Sequence, residues 1–242
     1  MSYHRRPLPE PHVDFSSPEG RQLLREALAD GTAEAFFPLI AHLHTQAEPA
    51  WCGLGTLVTV LNALQIDPGR TWKGPWRWFG EELLDCCKKL DAVGAEGLSL
   101  HEVACLARCN GASVREVHGD EGAFRADLLT TVRSPAGPFF VANYDRQALG
   151  QTGAGHFSPV AAWHAASDRA LVLDVARFKY PPHWVDAATL WAATQVQDPA
   201  TGAARGWLVM ERGDRADYEG VQALLDRLGA LGLETPCCPE PA

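Results

Sequence analysis

No run of 18 apolar residues occurs anywhere in this chain of 242 residues, so nothing in it reads as a bilayer-spanning helix. The opening segment MSYHRRPLPEPHVDF also lacks the apolar core of a secretory leader. The expectation is a cytoplasmic protein with no membrane partner. Positive charge is scarce as well: 21 Lys and Arg face 30 Asp and Glu, a net charge of -9. Arg5-Arg6 and Lys88-Lys89 are too few and too dispersed to make a phosphate-binding face, which argues against a nucleic-acid partner. Cysteine is thin for a stoichiometric metal-thiolate protein, at seven residues. Six of them come as Cys86-Cys87, Cys105/Cys109 and Cys237-Cys238, and a chain of this size needs no disulfide framework, so reduced thiols are expected. No internal repeat is visible. What remains is an ordinary globular composition, 46% hydrophobic and 21% charged, enough for one domain with a real core.

The first half reads as helical. Ser16-x-x-Glu19 with Pro18 predicts a capped helix to about Asp30-Gly31, and a second helix covers 33–43. A third opens at Cys52 and stops before the turn Asp67-Pro68-Gly69. RTWKGPWRWF, residues 70–79, is a loop broken by Gly and Pro; helices follow near 80–89 and after Ser99-x-x-Glu102, ending at Asn110-Gly111. The pattern then changes to strands at 113–118, 138–143, 156–163, 170–175 and 206–211, with a helix near 121–131. Helices first and antiparallel strands afterwards predict an α+β domain of two lobes over residues 1–212. Residues 213–242 read as one helix, about 217–230, and a Pro-rich tail.

In QAEPAWCGLGTLVTVLNAL, residues 46–64, Leu54, Leu57, Val58, Leu61 and Leu64 mark a helix face. Cys52 falls at its start, where exposed N–H groups and the helix dipole favour a thiolate. The alternative is a buried structural cysteine. A nucleophilic cysteine needs a histidine as base and a group to orient it. Of nine histidines, His156 stands out because it follows GQTGAG and opens an apolar strand. His4, His12, His42, His44, His101, His118, His164 and His183 read as surface or packing residues. Asp174 stands alone inside ALVLDVARF, where a core strand should not carry an unpaired carboxylate; its other reading is a partner for Arg177 or for backbone N–H groups. A hairpin around 165–168 brings it towards His156, with Pro159 able to add a bulge. Gln46 completes the set as a donor to an oxyanion beside the Cys52 N–H.

The strings TQAEPAWCGLGTL, DPGRTWKGPWRWF, LDCC, CLARC, TGAGHFSP and LDVARFKYPPHWV resemble the catalytic domain of plant-type phytochelatin synthases, from about residue 3 to 212. The resemblance implies a papain-like fold with a mainly helical N-terminal lobe and an antiparallel sheet lobe. It implies Cys52 as nucleophile, His156 as base, Asp174 as orienting carboxylate and Gln46 as oxyanion donor. It also implies a γ-glutamylcysteine transferase that uses glutathione as donor and acceptor, releases glycine and passes through an acyl-enzyme. Asp198 and Arg205 match the family's γ-glutamyl pocket, against their plain reading as solvated loop charges. Arg177 and Tyr180 lie in a segment proposed to meet the second substrate. No organic cofactor is expected; Cd²⁺ or Zn²⁺ would enter as the metal–glutathione thiolate substrate. Oligomeric state is not fixed, and a homodimer is kept open.

Trp51 stands where the family usually has tyrosine, and Gly55 and Thr56 replace alanine and serine. The chain stops soon after Cys237-Cys238, whereas plant-type members continue into a long Cys-rich domain. Cys86, Cys87, Cys105 and Cys109, read as lying on two successive helices, permit a Zn²⁺ or Cd²⁺ site, but C-x₃-C beside C-C lacks regular zinc spacing and core thiols are the preferred reading. Two other functions are carried along: a hydrolase removing glycine from glutathione or its S-conjugates, and a cysteine-rich metal binder, which leaves the Gln/Cys/His/Asp set unexplained.

Overall fold

The computed structural model describes residues 6–213. In chain order the elements are β1 (Val13–Asp14), α1 (Pro18–Ala29), α2 (Phe36–Ala41), α3 (Cys52–Ala63), α4 (Leu90–Glu96), α5 (Leu100–Cys109), β2 (Ala112–Val117), α6 (Glu121–Val132), β3 (Phe139–Asp145), β4 (Gly155–His164), β5 (Arg169–Val172), β6 (His183–Asp186), α7 (Ala187–Gln195) and β7 (Trp207–Arg212). The seven strands form one antiparallel sheet in the order β1-β6-β5-β4-β3-β7-β2. This is an α+β domain, as expected. Strand alternation sends Val141, Phe157, Leu171 and Met210 into the core beneath α1, α2, α3 and α5. It sends Phe140, Tyr144, Val172 and Trp207 to the opposite face, under α6 and α7. The sheet is therefore covered on both faces, and helices are not confined to the first half.

Local chemistry explains most boundaries. Ser99 and Glu102 form the expected capping box of α5 (Ser99 N–H to Glu102 Oε2, 2.7 Å). The cap of α1 is Ser17, whose hydroxyl accepts from the Gly20 N–H at 2.9 Å; the expected Ser16 bonds to Asp14 instead. The helix expected near 80–89 shrinks to a 3₁₀ turn, Glu81–Leu83. Tertiary bonds claim this stretch: Asn62 brackets the backbone of Phe79, and the buried Glu81 carboxylate accepts the Ala47 N–H at 3.1 Å. The sequence reading missed β6 and α7, the latter capped by Asp186. The 165–168 hairpin forms, with a register shift between Val160 and Ala162 just after Pro159. The strand expected at 170–175 pairs only to Val172, so Asp174 sits just past the ladder. The helix expected near 217–230 and the Pro-rich tail lie outside the described residues. Among the described residues no helix is long and apolar enough to cross a membrane.

Candidate active site

Helix α3 begins at Cys52 as the sequence predicts, and every residue of it after Cys52 is buried. Its first intrahelical bond runs from Gly55 N–H to Trp51 O, so the N–H groups of Cys52, Gly53 and Leu54 are left as first-turn donors. Gly55 packs closely on the Gln46 loop: a Cβ there would lie 3.1 Å from that of Gln46. The helix is tied to the sheet by Thr56 Oγ1, which donates to Phe157 O at 3.1 Å. Since His156 precedes Phe157 on β4, this bond fixes thiol and imidazole relative to one another. Burial pushes the Cys52 thiol up, but the His156 charge and hydrogen bond, a backbone bond at Phe157 and the Arg146 charge outweigh it. The net direction is below the ordinary thiol value.

His156 Nε2 lies 2.9 Å from Asp174 Oδ1, so Nδ1 is the ring nitrogen that this bond leaves over. The Tyr144 ring meets the imidazole edge-on, at 5.6 Å between centroids. Asp174 is fully buried. Its carboxylate also accepts from Ala176 N–H at 2.8 Å and from Arg146 Nη2 at 2.9 and 2.8 Å. Burial alone would raise its pKa; the charges of His156 and Arg146 reverse this and hold it far below the usual carboxylate range. The partner of Asp174 is thus Arg146. Arg177 is exposed, with Nη1 3.4 Å from Thr45 Oγ1.

Gln46 is buried, and its backbone N–H bonds to Val175 O, next to Asp174. Its side-chain amide donates to Glu48 O at 2.8 Å and to Pro49 O at 2.9 Å, and its Oε1 has no partner. In this arrangement the amide shapes the loop ahead of Cys52, and one of those bonds must open for it to meet an oxyanion. The α3 first-turn N–H groups are the donors already free to do so.

A cavity of about 770 Å³ opens over Cys52 and His156 and runs to Asp198 and Arg205. These two are buried and paired (Arg205 Nη1 to Asp198 Oδ2, 3.2 Å), at the neck of a turn closed by Asp198 N–H to Ala203 O. They are not solvated loop charges. Buried Arg205 Nε and Asn143 Oδ1 lack partners, leaving a donor and an acceptor at this wall. Gly155 makes room for the guanidinium, since a Cβ there would fall 2.7 Å from Arg205 Cζ. Gly155→Ala should therefore displace Arg205 and raise the KM for a substrate held at this wall about 10-fold or more, while the fold persists. Steady-state kinetics beside a melting curve check this; an unchanged KM would sever Arg205 from substrate binding.

Tyr180 is buried and does not line the cavity. Its hydroxyl accepts from Thr152 N–H at 2.9 Å, and its ring backs the Arg146 guanidinium at 5.2 Å. The cavity-lining members of that segment are Ala176, Phe178 and Lys179. Sequence reasoning missed Arg146 and Asn143, which carry no motif; the available signal was the polar cluster NYDRQALGQTGAGH against an apolar sheet. Lys179 lies in the segment already singled out but was not named.

The Cys86-Cys87 pair lies on the irregular stretch ahead of α4 and not on a helix; it packs against α5. Cys87 lies 3.7 Å from Cys86 and 3.2 Å from Cys109, sulfur to sulfur, and the three sulfurs are within 4.8 Å of one another. Contrary to the expectation of reduced thiols, Cys87 and Cys105 are disulfide-bonded. A disulfide sulfur is not a thiolate ligand, so the arrangement as it stands does not fit a four-thiolate metal site.

Comparison with known proteins gives the family. The chain is 52% identical over 215 residues to glutathione gamma-glutamylcysteinyltransferase 1 of Triticum aestivum, covering 87% of this chain and 43% of that one. It is 49% identical over 217 residues to glutathione gamma-glutamylcysteinyltransferase 3 of Lotus japonicus (88% and 45%), and 42% identical over 217 residues to the Schizosaccharomyces pombe enzyme (87% and 51%). It thus spans about half the length of the curated relatives it matches. The family model for phytochelatin synthase matches residues 3–207, the stretch that holds Cys52, His156, Asp174, Asp198 and Arg205, and the chain belongs to the phytochelatin synthase family.

Proposed function

We propose that the chain is a papain-like γ-glutamylcysteine dipeptidyl transferase that makes phytochelatins from glutathione. The observation that carries this is the Cys52 thiol at the α3 N-terminus, a helix that Thr56 ties to Phe157, with the neighbouring His156 Nε2 2.9 Å from Asp174. The Cys52 thiolate attacks the carbonyl carbon of the Cys–Gly amide, and the α3 N–H groups meet the oxyanion, joined by Gln46 once its amide is released. The His156 imidazolium gives its proton to the amide nitrogen as the C–N bond breaks. Glycine leaves, and a γ-Glu-Cys thioester remains. The α-amine of a second glutathione attacks the thioester, its proton passes to His156, and the thiolate of Cys52 is expelled. The γ-glutamyl group carries an α-ammonium and an α-carboxylate, which suit the Asp198–Arg205 wall with its orphan donor and acceptor. Heavy-metal ions enter as glutathione thiolates. On the acceptor side the contacts fall to Ala176, Phe178 and Lys179, with Arg177 at the rim and Tyr180 as support.

Incubation with glutathione and a trace of Cd²⁺ should yield (γ-Glu-Cys)₂-Gly together with free glycine, resolved by mass. The metal holds two glutathiones in one complex and raises the local concentration of the acceptor amine. γ-Glu-Cys and glycine alone, at every metal and glutathione concentration, would make the protein a hydrolase.

A further inference from the structure

Behind Asp174 the hydrogen bonds continue. His183 is fully buried, and its Nδ1 lies 2.8 Å from Pro181 O, a pure acceptor; Nδ1 therefore carries the proton and Nε2 is a lone pair. Gln151 Nε2 donates to that lone pair at 2.8 Å. This orients the Gln151 amide with its oxygen towards Arg146, whose Nη1 donates to it. Nη2 of the same guanidinium then bonds both carboxylate oxygens of Asp174. Every donor in the series meets an acceptor, and reversing any one member leaves two like groups facing each other. The guanidinium is thereby fixed at both nitrogens. Gln151, Arg146, Asp174 and His183 are each at most 3% exposed, so water cannot substitute for a lost link.

We propose that Gln151 and His183 are positioning residues for the Cys52–His156 pair. Through Arg146 they hold the Asp174 carboxylate in the plane that the His156 imidazolium needs. Neither Gln151 nor His183 lines the cavity, so neither meets substrate. Without the relay, Arg146 Nη1 becomes a buried donor with no acceptor, and the guanidinium turns towards the cavity it already borders. Asp174 then loses its placement, and the imidazolium that sustains the thiolate loses stabilisation. The inference rests on the nucleophile reading above but not on the identity of the substrate.

The test is the rate of alkylation of Cys52 by iodoacetamide across the acid and neutral range, read as mass on the Cys52 peptide so that other cysteines do not contribute. In the parent chain the reaction should persist below the range of an ordinary thiol. In Gln151→Leu the acid limb should move up towards that range, and glycine release should fall about 10- to 100-fold in kcat with KM nearly constant. A second pair of variants keeps the site polar and folded. His183→Asn retains a donor for Pro181 O but removes the acceptor for Gln151, and should behave like Gln151→Leu. His183→Gln presents an amide oxygen near the Nε2 position and should restore most of the rate. If the parent shows the low acid limb while folded Gln151→Leu and His183→Asn leave it unmoved, the relay has no positioning role. If the parent itself shows no low acid limb, the nucleophile reading fails and the relay inference falls with it.

Discussion

Replacing Cys52 by serine is expected to end glycine release from glutathione, by about 10⁴-fold or more, while the melting temperature stays close to that of the parent. The chemistry depends on a group that ionises more readily than an ordinary thiol. At Cys52 the imidazole of His156, the Phe157 backbone bond and the Arg146 charge overcome burial and favour the thiolate. A serine hydroxyl in the same field remains protonated at neutral pH and is a much poorer nucleophile without that charge. The fold has little to lose, because the side chain is half-buried and the α3 contacts below it are untouched. A serine variant turning over at more than about 1% of the parent rate would assign the nucleophile elsewhere.

The second large effect is expected at Asp174. Asp174→Asn should slow acylation about 10²- to 10⁴-fold, since the imidazolium loses its anionic partner and the ring its orientation. The structure adds a consequence that the isolated strand motif did not suggest. Arg146 would be left as a buried cation facing a neutral amide, so stability should fall by about 3 kcal/mol as well. Burst kinetics for glycine release and urea unfolding separate the two losses. An unaffected acylation rate in a folded variant would return Asp174 to a purely structural ion pair with Arg146.

Local signals in the sequence were enough to place two of the helices. An apolar spacing of three and four located α3 to its first residue, and Ser99 and Glu102 announced α5. His156 drew notice because it follows GQTGAG and opens an apolar strand, and Asp174 because it stands alone inside ALVLDVARF; the structure brings the two to 2.9 Å. What stayed hidden was whatever depends on long-range burial. Glu81 looks like a helical surface acid but is held inside by the Ala47 N–H. Arg146 looks like a loop cation but is the counter-charge of Asp174, 28 residues away. Gln46 was read as an oxyanion donor, yet its amide hydrogens are spent on two carbonyls that no pattern could reveal. Tyr180 and Arg177 were drawn from a motif, which could not show that Tyr180 is buried behind Arg146 while Arg177 is exposed beside Thr45.

The place of β7 in the sheet has a consequence for how the chain is made. It is the last described strand, yet it lies between β3 and β2, and β2 has no other neighbour among the described strands. On a ribosome, β2 emerges and then waits while residues 118–206 are added, on the order of ten seconds at ordinary rates of synthesis. Throughout that interval β2 and one side of β3 offer unsatisfied backbone groups to any passing strand. Arg205 and the turn that sets it against Asp198 arrive only just ahead of β7, so this wall of the cavity is completed only with the last described strand. A newborn chain is therefore at its stickiest when the nucleophile helix is long finished and its pocket is still missing a wall, and chaperone demand should peak there.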